Sequence, residues 1–476
     1  MRSRRKCVAG LFLPHSLFRL DPLEKFEKQP TNPVNCFIIV DRTSRASGSA
    51  GANDDTEKTG LNLRKTHEGA LAEIDDYTWL TGPEAEAWLT ELAESDQSAL
   101  RILGRLRKVL SADRSRLIVD QIALRRRAAV KFGELAKRMF FTDLGLQQST
   151  DLWIARYKAS RIKPKVHAID YCCGIGGDLL ALAEQTSVVG WDRSPKILCL
   201  AQSNLSAVNC VGSVDVQVGN VENQAPQANE VWHLDPDRRV DGRRSTQVQW
   251  HSPSPEVVDR WLKKSPQGIL KLAPAASVPE RWKREAELQW ITRDRECRQL
   301  IVWFGELATT AGLHRATVLK GSTDSATPMV PQSFQGDPSV AAPFAPDLQQ
   351  YVYEADPAVR AAGLVGSLAV ECECTSLASG SAYLTSERPV DHPQLACFEV
   401  IDSLPLRIGP LKKHLRSLGI GRLEIKKRGV KIDPEQLRKQ LKLRGSGSAT
   451  LLLGRLGLRE IAILAKRYDK NVLPTG

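Results

Sequence analysis

Hydrophobic and polar positions change their spacing several times along the chain, and each change marks a region. Residues 1–69 carry few periodic apolar positions, and Ala46 to Leu61 is rich in Ser, Gly, Asn, Asp, Thr and Lys, which predicts a disordered extension. From Ala70 the spacing turns helical. Pro83-Glu84-Ala85-Glu86-Ala87-Trp88-Leu89 reads as a helix start with Pro and acids in its first turn, and Leu100–Leu110, Ser115–Val130 and Glu134–Phe140 continue in the same period. Residues 70–160 are therefore expected as a small helical bundle. Between 161 and 321 the pattern alternates. Strands are expected at 166–170, 187–191, 214–218, 230–234, 268–272, 288–292 and 299–304, and helices at 178–185, 195–208, 255–264 and 278–286. Such alternation argues for a parallel, doubly wound α/β sheet, with the last two strands close enough for an antiparallel pair at one end. Residues 322–350, rich in Ser, Pro, Asp and Gln, read as a linker, and 351–394 as a connecting region with a helix near Ala358–Leu368. The block 395–470 alternates again. Strands at Cys397–Ile401, Leu423–Lys427, Ala449–Arg455 and Glu460–Ala465, with helices at Ile408–Leu418 and Pro434–Leu441, make it a small α+β domain.

The sharpest local signal is Ile169-Asp170-Tyr171-Cys172-Cys173-Gly174-Ile175-Gly176-Gly177-Asp178, a strand end, a glycine-rich turn and a helix start. Glycines let a backbone approach a ligand closely, and a helix N-terminus offers unpaired N–H groups. Asp192 ends the next apolar run, 18 residues after Gly174, where such folds place an acid on ribose hydroxyls. A dinucleotide fingerprint needs a third glycine at the position held by Leu179, so that pattern fails. The acid-x-x-x-Gly-x-Gly-Gly spacing instead resembles motif I of class I S-adenosylmethionine (SAM) methyltransferases. That resemblance implies a Rossmann-like sheet with SAM against Gly174, Gly176 and Gly177, and Asp170 and Asp192 as polar anchors. A generic glycine-rich βα turn is the alternative.

A second segment, Trp232-His233-Leu234-Asp235-Pro236-Asp237-Arg238-Arg239, lies just past the fourth strand, where open α/β sheets bind ligands. By the same resemblance this is the motif IV position. Methyltransferases of exocyclic amines carry Asn/Asp-Pro-Pro-aromatic there; here Asp235-Pro236 remains, Asp237 replaces the second Pro and Arg238 the aromatic. Asp235 and Arg238 are the candidates for the reacting end, and Arg238 and Arg239 suit a phosphate, a carboxylate or an internal acid. His233 is a candidate base or a satisfied strand histidine. Cys172 and Cys173 lie in the loop, and no cysteine stands where RNA C5 methylation would need one.

The 476 residues suit two to four domains, and 42% hydrophobic content supports ordinary cores. No apolar run reaches the roughly 18 residues of a membrane span. The ten cysteines show no paired metal-ligand spacing, so reduced thiols and no structural metal are expected. The basic start and the short run Cys7–Leu13 superficially resemble an export signal, but Pro14 and His15 end that run and no clean cleavage site follows. The chain therefore reads as cytoplasmic. Charge is uneven: Leu404 to Arg467 holds 17 Lys or Arg against 4 Asp or Glu, a net of +13 against +12 for the whole chain. Such a block suits a phosphate backbone, or forms a solvated basic face.

Taken with Met139-Phe140-Phe141-Thr142, Gly145–Thr150, Tyr157–Arg161, Lys271-Leu272-Ala273-Pro274, Trp303-Phe304-Gly305 and Gly421–Val430, the Asp-Pro-x-Arg-Arg segment resembles bacterial class I methyltransferases with a C-terminal THUMP-like domain. The resemblance covers about residues 70–470. It implies SAM as cofactor and an RNA context, with Phe140 and Phe141 lining a cofactor or substrate pocket or else packing in the core. Asn220 stands where an Asp usually accepts from the adenine amine. Lys426, Lys427 and Arg428, at a strand end, are the candidate RNA contacts. The expected function is RNA methylation; methylation of a small molecule or a protein, or RNA binding without catalysis, are the alternatives.

Overall fold

The computed structural model describes residues 73–240, 243–321, 330–381 and 383–468. The expected disorder of 1–69 lies outside them. Helices α1 (73–80), α2 (Pro83–Leu92), α3 (Ala99–Leu106), α4 (Ala112–Phe132), α5 (Asp143–Gln148) and α6 (Leu152–Ala159) form the N-terminal region. Local chemistry sets their ends. Ser111, Thr142 and Asp151 accept the Arg114, Gly145 and Trp153 N–H groups at 3.2, 2.9 and 3.0 Å as N-caps, and Gly133 stops α4 at φ 54°. This region does not bury a core of its own. Leu89, Ile118, Phe132 and Met139 share one core with Leu180, Leu200, Ile269 and Trp303 of the sheet layer. The helices are one covering layer of a sheet, since the apolar stripes on the helices and the apolar sheet face each lack any other partner.

That sheet is built from β1 (Ala168–Tyr171), α7 (Leu179–Ala183), β2 (Val188–Asp192), α8 (Pro195–Leu205), β3 (Val214–Val218) and β4 (Val231–Leu234). A short hairpin of β5 (Arg239–Val240) and β6 (Arg243–Arg244) precedes α9 (Pro255–Leu262), β7 (Gly268–Leu272), α10 (Glu280–Glu285), β8 (Glu287–Arg293), β9 (Glu296–Phe304), β10 (His314–Lys320) and β11 (Val330–Gly336). The strand order is β11-β10-β8-β9-β7-β4-β1-β2-β3. β1 has β2 on one side and β4 on the other, so the winding direction reverses there and opens a crevice beyond the strand ends. The expected antiparallel end pair is β8 and β9, turned at Asp294 and Arg295 with φ 52° and 62°. Two further strands extend it. β10 runs parallel to β8, and β11 pairs antiparallel with β10. β11 corrects the linker reading of 322–350. Val330-Pro331-Gln332-Ser333-Phe334-Gln335-Gly336 is an edge strand in which Phe334 is the one buried side chain, so it lacks the apolar alternation that marks a strand.

The segment 351–394 is also more than a connection. β12 (Tyr351–Ala355), α11 (Pro357–Ala361), α12 (Val365–Glu371), β13 (Thr375–Ser376) and β14 (Tyr383–Ser386) precede β15 (Leu395–Pro405), α13 (Ile408–Ser417), β16 (Ile420–Lys427), α14 (Pro434–Leu441), β17 (Gly447–Leu456) and β18 (Arg459–Arg467). A second sheet has the order β13-β14-β12-β15-β18-β17-β16, so 351–394 supplies three of its seven strands. The single helix expected near 358–368 is two, broken at Gly363 with φ 72°. α11 packs Ala358 and Val359 onto the first sheet beside Leu288 and Ala316, while α13 and α14 cover one face of the second through Leu411, Leu415, Leu437 and Leu441. Among the described residues no helix is long and apolar enough to cross a membrane.

Glu287, with its side chain 0% exposed, ties these layers together. It takes Arg161 at 2.9 Å and Arg315 at 2.6 Å, and accepts the Thr309 N–H at 2.9 Å. Although burial raises its pKa, Arg315, Arg161 and Thr309 outweigh that and hold the carboxyl down at about 2. A carboxylate with a depressed folded pKa contributes stability above its unfolded value, lost as pH falls through the folded one. Glu287→Gln should cost about 3 kcal/mol at neutral pH by leaving two guanidinium groups without their anion. It should also flatten the loss of melting temperature between pH 4.5 and about 2; an acid limb unchanged in the variant would refute the assignment.

Candidate active site

After Tyr171 the chain must bend sharply enough to lay α7 back over the sheet. Cys172, Gly174 and Gly176 take φ of 61°, 56° and 92° to do so. At Gly177 a Cβ would meet the Thr150 nitrogen at 3.0 Å and Ser149 Cβ at 3.1 Å, so the loop lies directly on the segment between α5 and α6. At Gly174 a Cβ would meet nothing within 4 Å. This glycine borders a cleft of about 520 Å³, which Gly177, Asp192, Asn220, Asp235 and Arg238 also line. Thr142, Gly145 and Gln148 of the α5 region line it as well, with Tyr77 of α1. Asp192 accepts the Gly174 N–H at 3.1 Å and the Ser194 N–H at 3.0 Å. Burial pushes its carboxyl up against the pull of those two donors. Asn220 caps a short turn by accepting the Glu222 N–H at 3.0 Å.

Beneath the loop runs a buried polar chain. Asp170 and His233 are register partners on β1 and β4, and the carboxylate meets Nδ1 at 2.6 Å. On the other side of the ring, Lys158 Nζ lies 3.0 Å from Nε2 and 2.6 Å from Asp178, whose second oxygen accepts from the Thr150 hydroxyl at 2.5 Å. With the Lys158 ammonium donating to Nε2, the ring proton sits on Nδ1 and is donated to Asp170. His233 is thus a satisfied strand histidine. Burial raises the Asp170 carboxyl and lowers Lys158, whereas at Asp178 the charge of Lys158 opposes burial and the carboxyl is held down. Asp170, 1% exposed, does not reach the cleft as an anchor but holds the sheet below it. Gly176 faces Ala201 of α8 and shapes the bend.

At the far end of the cleft Asp235 follows β4, and its carboxylate is bound by the Lys271 ammonium of β7. Asp237 lies 3.5 Å from Arg193 and 3.9 Å from Arg239, not against Arg238. Arg239 is therefore an internal partner of the extra acid, and Arg238 makes no ion pair among the described residues. Phe140 and Phe141 are buried in the core, 6% and 1% exposed, and do not line the cleft; packing with Phe132 at 5.6 Å is what Phe141 does. Their neighbour Thr142 is the residue of that segment at the cleft wall. Burial and the carboxylates of Asp192, Asp235 and Asp170 push the Cys172 thiol well up, which removes it as a thiolate nucleophile near neutral pH.

The chain is 32% identical over 354 residues to an uncharacterized S-adenosylmethionine-dependent methyltransferase of Mycobacterium tuberculosis, found in strains H37Rv and CDC 1551. The match covers 72% of this chain and 94% of that one. The chain belongs to the S-adenosylmethionine-dependent methyltransferases. Residues 395–467 of this methyltransferase match the family described as THUMP domain-like, and 73–128 match a domain of unknown function, DUF8688. A crystal structure from Porphyromonas gingivalis W83 that carries a provisional methyltransferase assignment has the same fold, with a TM-score of 0.68 at 19% identity over 81% of this chain and 97% of that one. The methyltransferase's cleft has a lining that suits its cofactor: Gly174 leaves open space, Asn220 lines the same cleft, and the Asp192 carboxylate there accepts two backbone N–H groups.

The THUMP-like domain of the methyltransferase holds a second cleft, of about 850 Å³, lined by Arg422, Arg438, Lys442, Lys466, Arg467 and Glu424. The expected contacts Lys426 and Arg428 are elsewhere engaged. Glu354 of β12 binds Lys426 at 2.9 Å and also pairs with Arg428, which leaves Lys427 as the exposed member of the three. Sequence reasoning passed over Lys158 and Lys271 as functional residues. Lys271 did leave a signal, a lone cation inside the apolar strand Gly268-Ile269-Leu270-Lys271-Leu272. Replacing Lys158 by Met should strand the buried Asp178 carboxylate and destabilise the fold by about 3 kcal/mol or more. Urea unfolding measures it, and a loss below about 1 kcal/mol would mean the chain is not a structural staple.

Proposed function

We propose that this methyltransferase acts on RNA, with the THUMP-like groove docking the phosphate backbone and Asp235 and Arg238 meeting the acceptor. The observation that carries the RNA reading is the 850 Å³ cleft with five basic side chains and one acid, in a domain of THUMP-like family. Phosphate contacts of this kind position a nucleic acid without reading its sequence. The cofactor-binding residues in this reading are Gly174, Gly177, Asp192 and Asn220. Bound there, the cofactor supplies an electrophilic methyl group on a sulfonium. The remaining task is positioning, because methyl transfer needs the nucleophile in line and water kept out. Asp235 accepts a proton-bearing group of the acceptor and orients it. Arg238, with no acidic partner among the described residues, holds an anionic part such as a phosphate. Thr142 and Gln148 of the α5 region form part of the cleft lining.

Gly174→Leu should fill open cleft space and weaken SAM binding by at least about tenfold, at a backbone cost of only about 1 kcal/mol for a residue at positive φ. Asp192→Ala should lower SAM affinity by a similar factor; calorimetry that finds either variant binding like the wild type would remove the cofactor assignment. For the acceptor end, the protein is incubated with total cellular RNA and labelled SAM, and the label is located by mass spectrometry. Asp235→Ala should keep SAM affinity and lose the RNA label. Arg422→Glu with Lys466→Glu should weaken RNA binding by more than tenfold and reduce the slope of log affinity against log salt by about 2. An unlabelled RNA pool with the wild-type protein would turn the reading to a small-molecule or protein acceptor.

A further inference from the structure

A lysine 8% exposed inside a sheet loses both hydration and rotamer freedom, and is retained where its ammonium has a task. Leu270 pairs with Leu234, so Lys271 is the next position on β7 and Asp235 the first residue past the end of the parallel neighbour β4. The Lys271 ammonium binds Asp235 Oδ2 and lies 3.3 Å from the Gln148 carbonyl, the last residue of α5. The carbonyls around that helix end are held from below as well, by Lys131 at 2.7 Å from Leu146 and 2.8 Å from Ser149. Gln148 and Asp235 both line the cleft, one on the helical wall and one at the reacting edge. Lys271 is the group that connects them.

We propose that Lys271 is the positioning residue of methyl transfer. It fixes Asp235 by one carboxylate oxygen, leaves the other for the acceptor, and through Gln148 sets the distance between the α5 wall and the reacting edge. The inference rests on Asp235 as the acceptor-orienting group, and its tests separate the two. Asp235 stands at the start of a loop, with Pro236 next, and a carboxylate there turns about two side-chain bonds. One ammonium between carbonyl and carboxylate removes that freedom. A misplacement of about 1 Å at such a site costs on the order of 100-fold in rate.

The full chain is tested as Lys271→Met, Lys271→Arg, Asp235→Asn and the Lys271→Met/Asp235→Asn pair. Initial rates of label transfer from SAM to total cellular RNA, SAM affinity by calorimetry, melting temperature, and crystal structures of wild type and both Lys271 variants with S-adenosylhomocysteine are the readouts. Lys271→Met should lower the rate about 100-fold with SAM affinity within about threefold. Lys271→Arg, which keeps the charge and the fold, should recover part of that loss. The double variant should transfer no more slowly than Asp235→Asn, because the two residues act as a unit. In the Lys271→Met crystal the Asp235 carboxylate should have turned from its wild-type position. An unmoved carboxylate, or a wild-type rate in Lys271→Met while Asp235→Asn is inactive, overturns the proposal. A fully active Asp235→Asn overturns the reading of Asp235 instead, and the crystal comparison still decides whether Lys271 anchors it. If Lys271→Met does not fold, the rate and carboxylate position in Lys271→Arg decide: a partial loss with a shifted carboxylate supports the role, and neither change refutes it.

Discussion

Charges taken out of water must find opposite charges or hydrogen bonds, and the chain Asp170–His233–Lys158–Asp178–Thr150 meets that demand with partners from α6, β1, β4 and the glycine loop. Removing any one member leaves a buried group unmet. The chain therefore fixes where the loop can lie. Asp178 is drawn down onto Lys158 and Thr150, and Gly177 permits that approach because it brings no Cβ against the Thr150 backbone. The cleft above inherits its shape from the ion pair below. This also explains why the N-terminal helices belong to the catalytic unit: they supply Thr150 and Lys158, and their apolar faces close the sheet's core.

The acids around the loop divide by environment. Asp170 and Asp178 are buried against internal partners, Asp170 through one oxygen and Asp178 through both. Asp192 and Asp235 reach the cleft, one held by backbone N–H groups and one by a lysine. The cationic groups divide in the same way. Lys426, Arg428 and Arg239 sit against Glu354 and Asp237, whereas Arg238 and the groove side chains Arg422 and Lys466 have no ion-pair partner among the described residues. Availability, not number, separates a binding cation from a structural one.

Much of the sheet was legible because burial on both faces writes itself as short apolar runs. β7 falls at the expected residues 268–272 for that reason, and the edge strand β3 at 214–218 through its strict apolar–polar alternation; the other core strands differ only at their ends. Where an edge strand also lacks that alternation, the pattern fades; β11, with Phe334 as its one buried side chain, disappeared into an apparent linker for that reason. The 351–394 segment was misjudged because its strands pair with residues far along the chain, Tyr351 with Glu399 and Tyr353 with Leu384, and no local period records such partners.

The sequence by itself determined the glycine bend, the acid after the second strand, the Asp-Pro step after the fourth and the basic excess of the last block. Each is a property of neighbouring residues. Only the tertiary structure decided which charges are available. Asp170 turns to His233, Phe140 and Phe141 turn inward, Glu354 takes Lys426 and Arg428, and Lys271 reaches Asp235. A side chain's chemistry is set by its letter, but its partner is set by packing across strands that are distant in sequence.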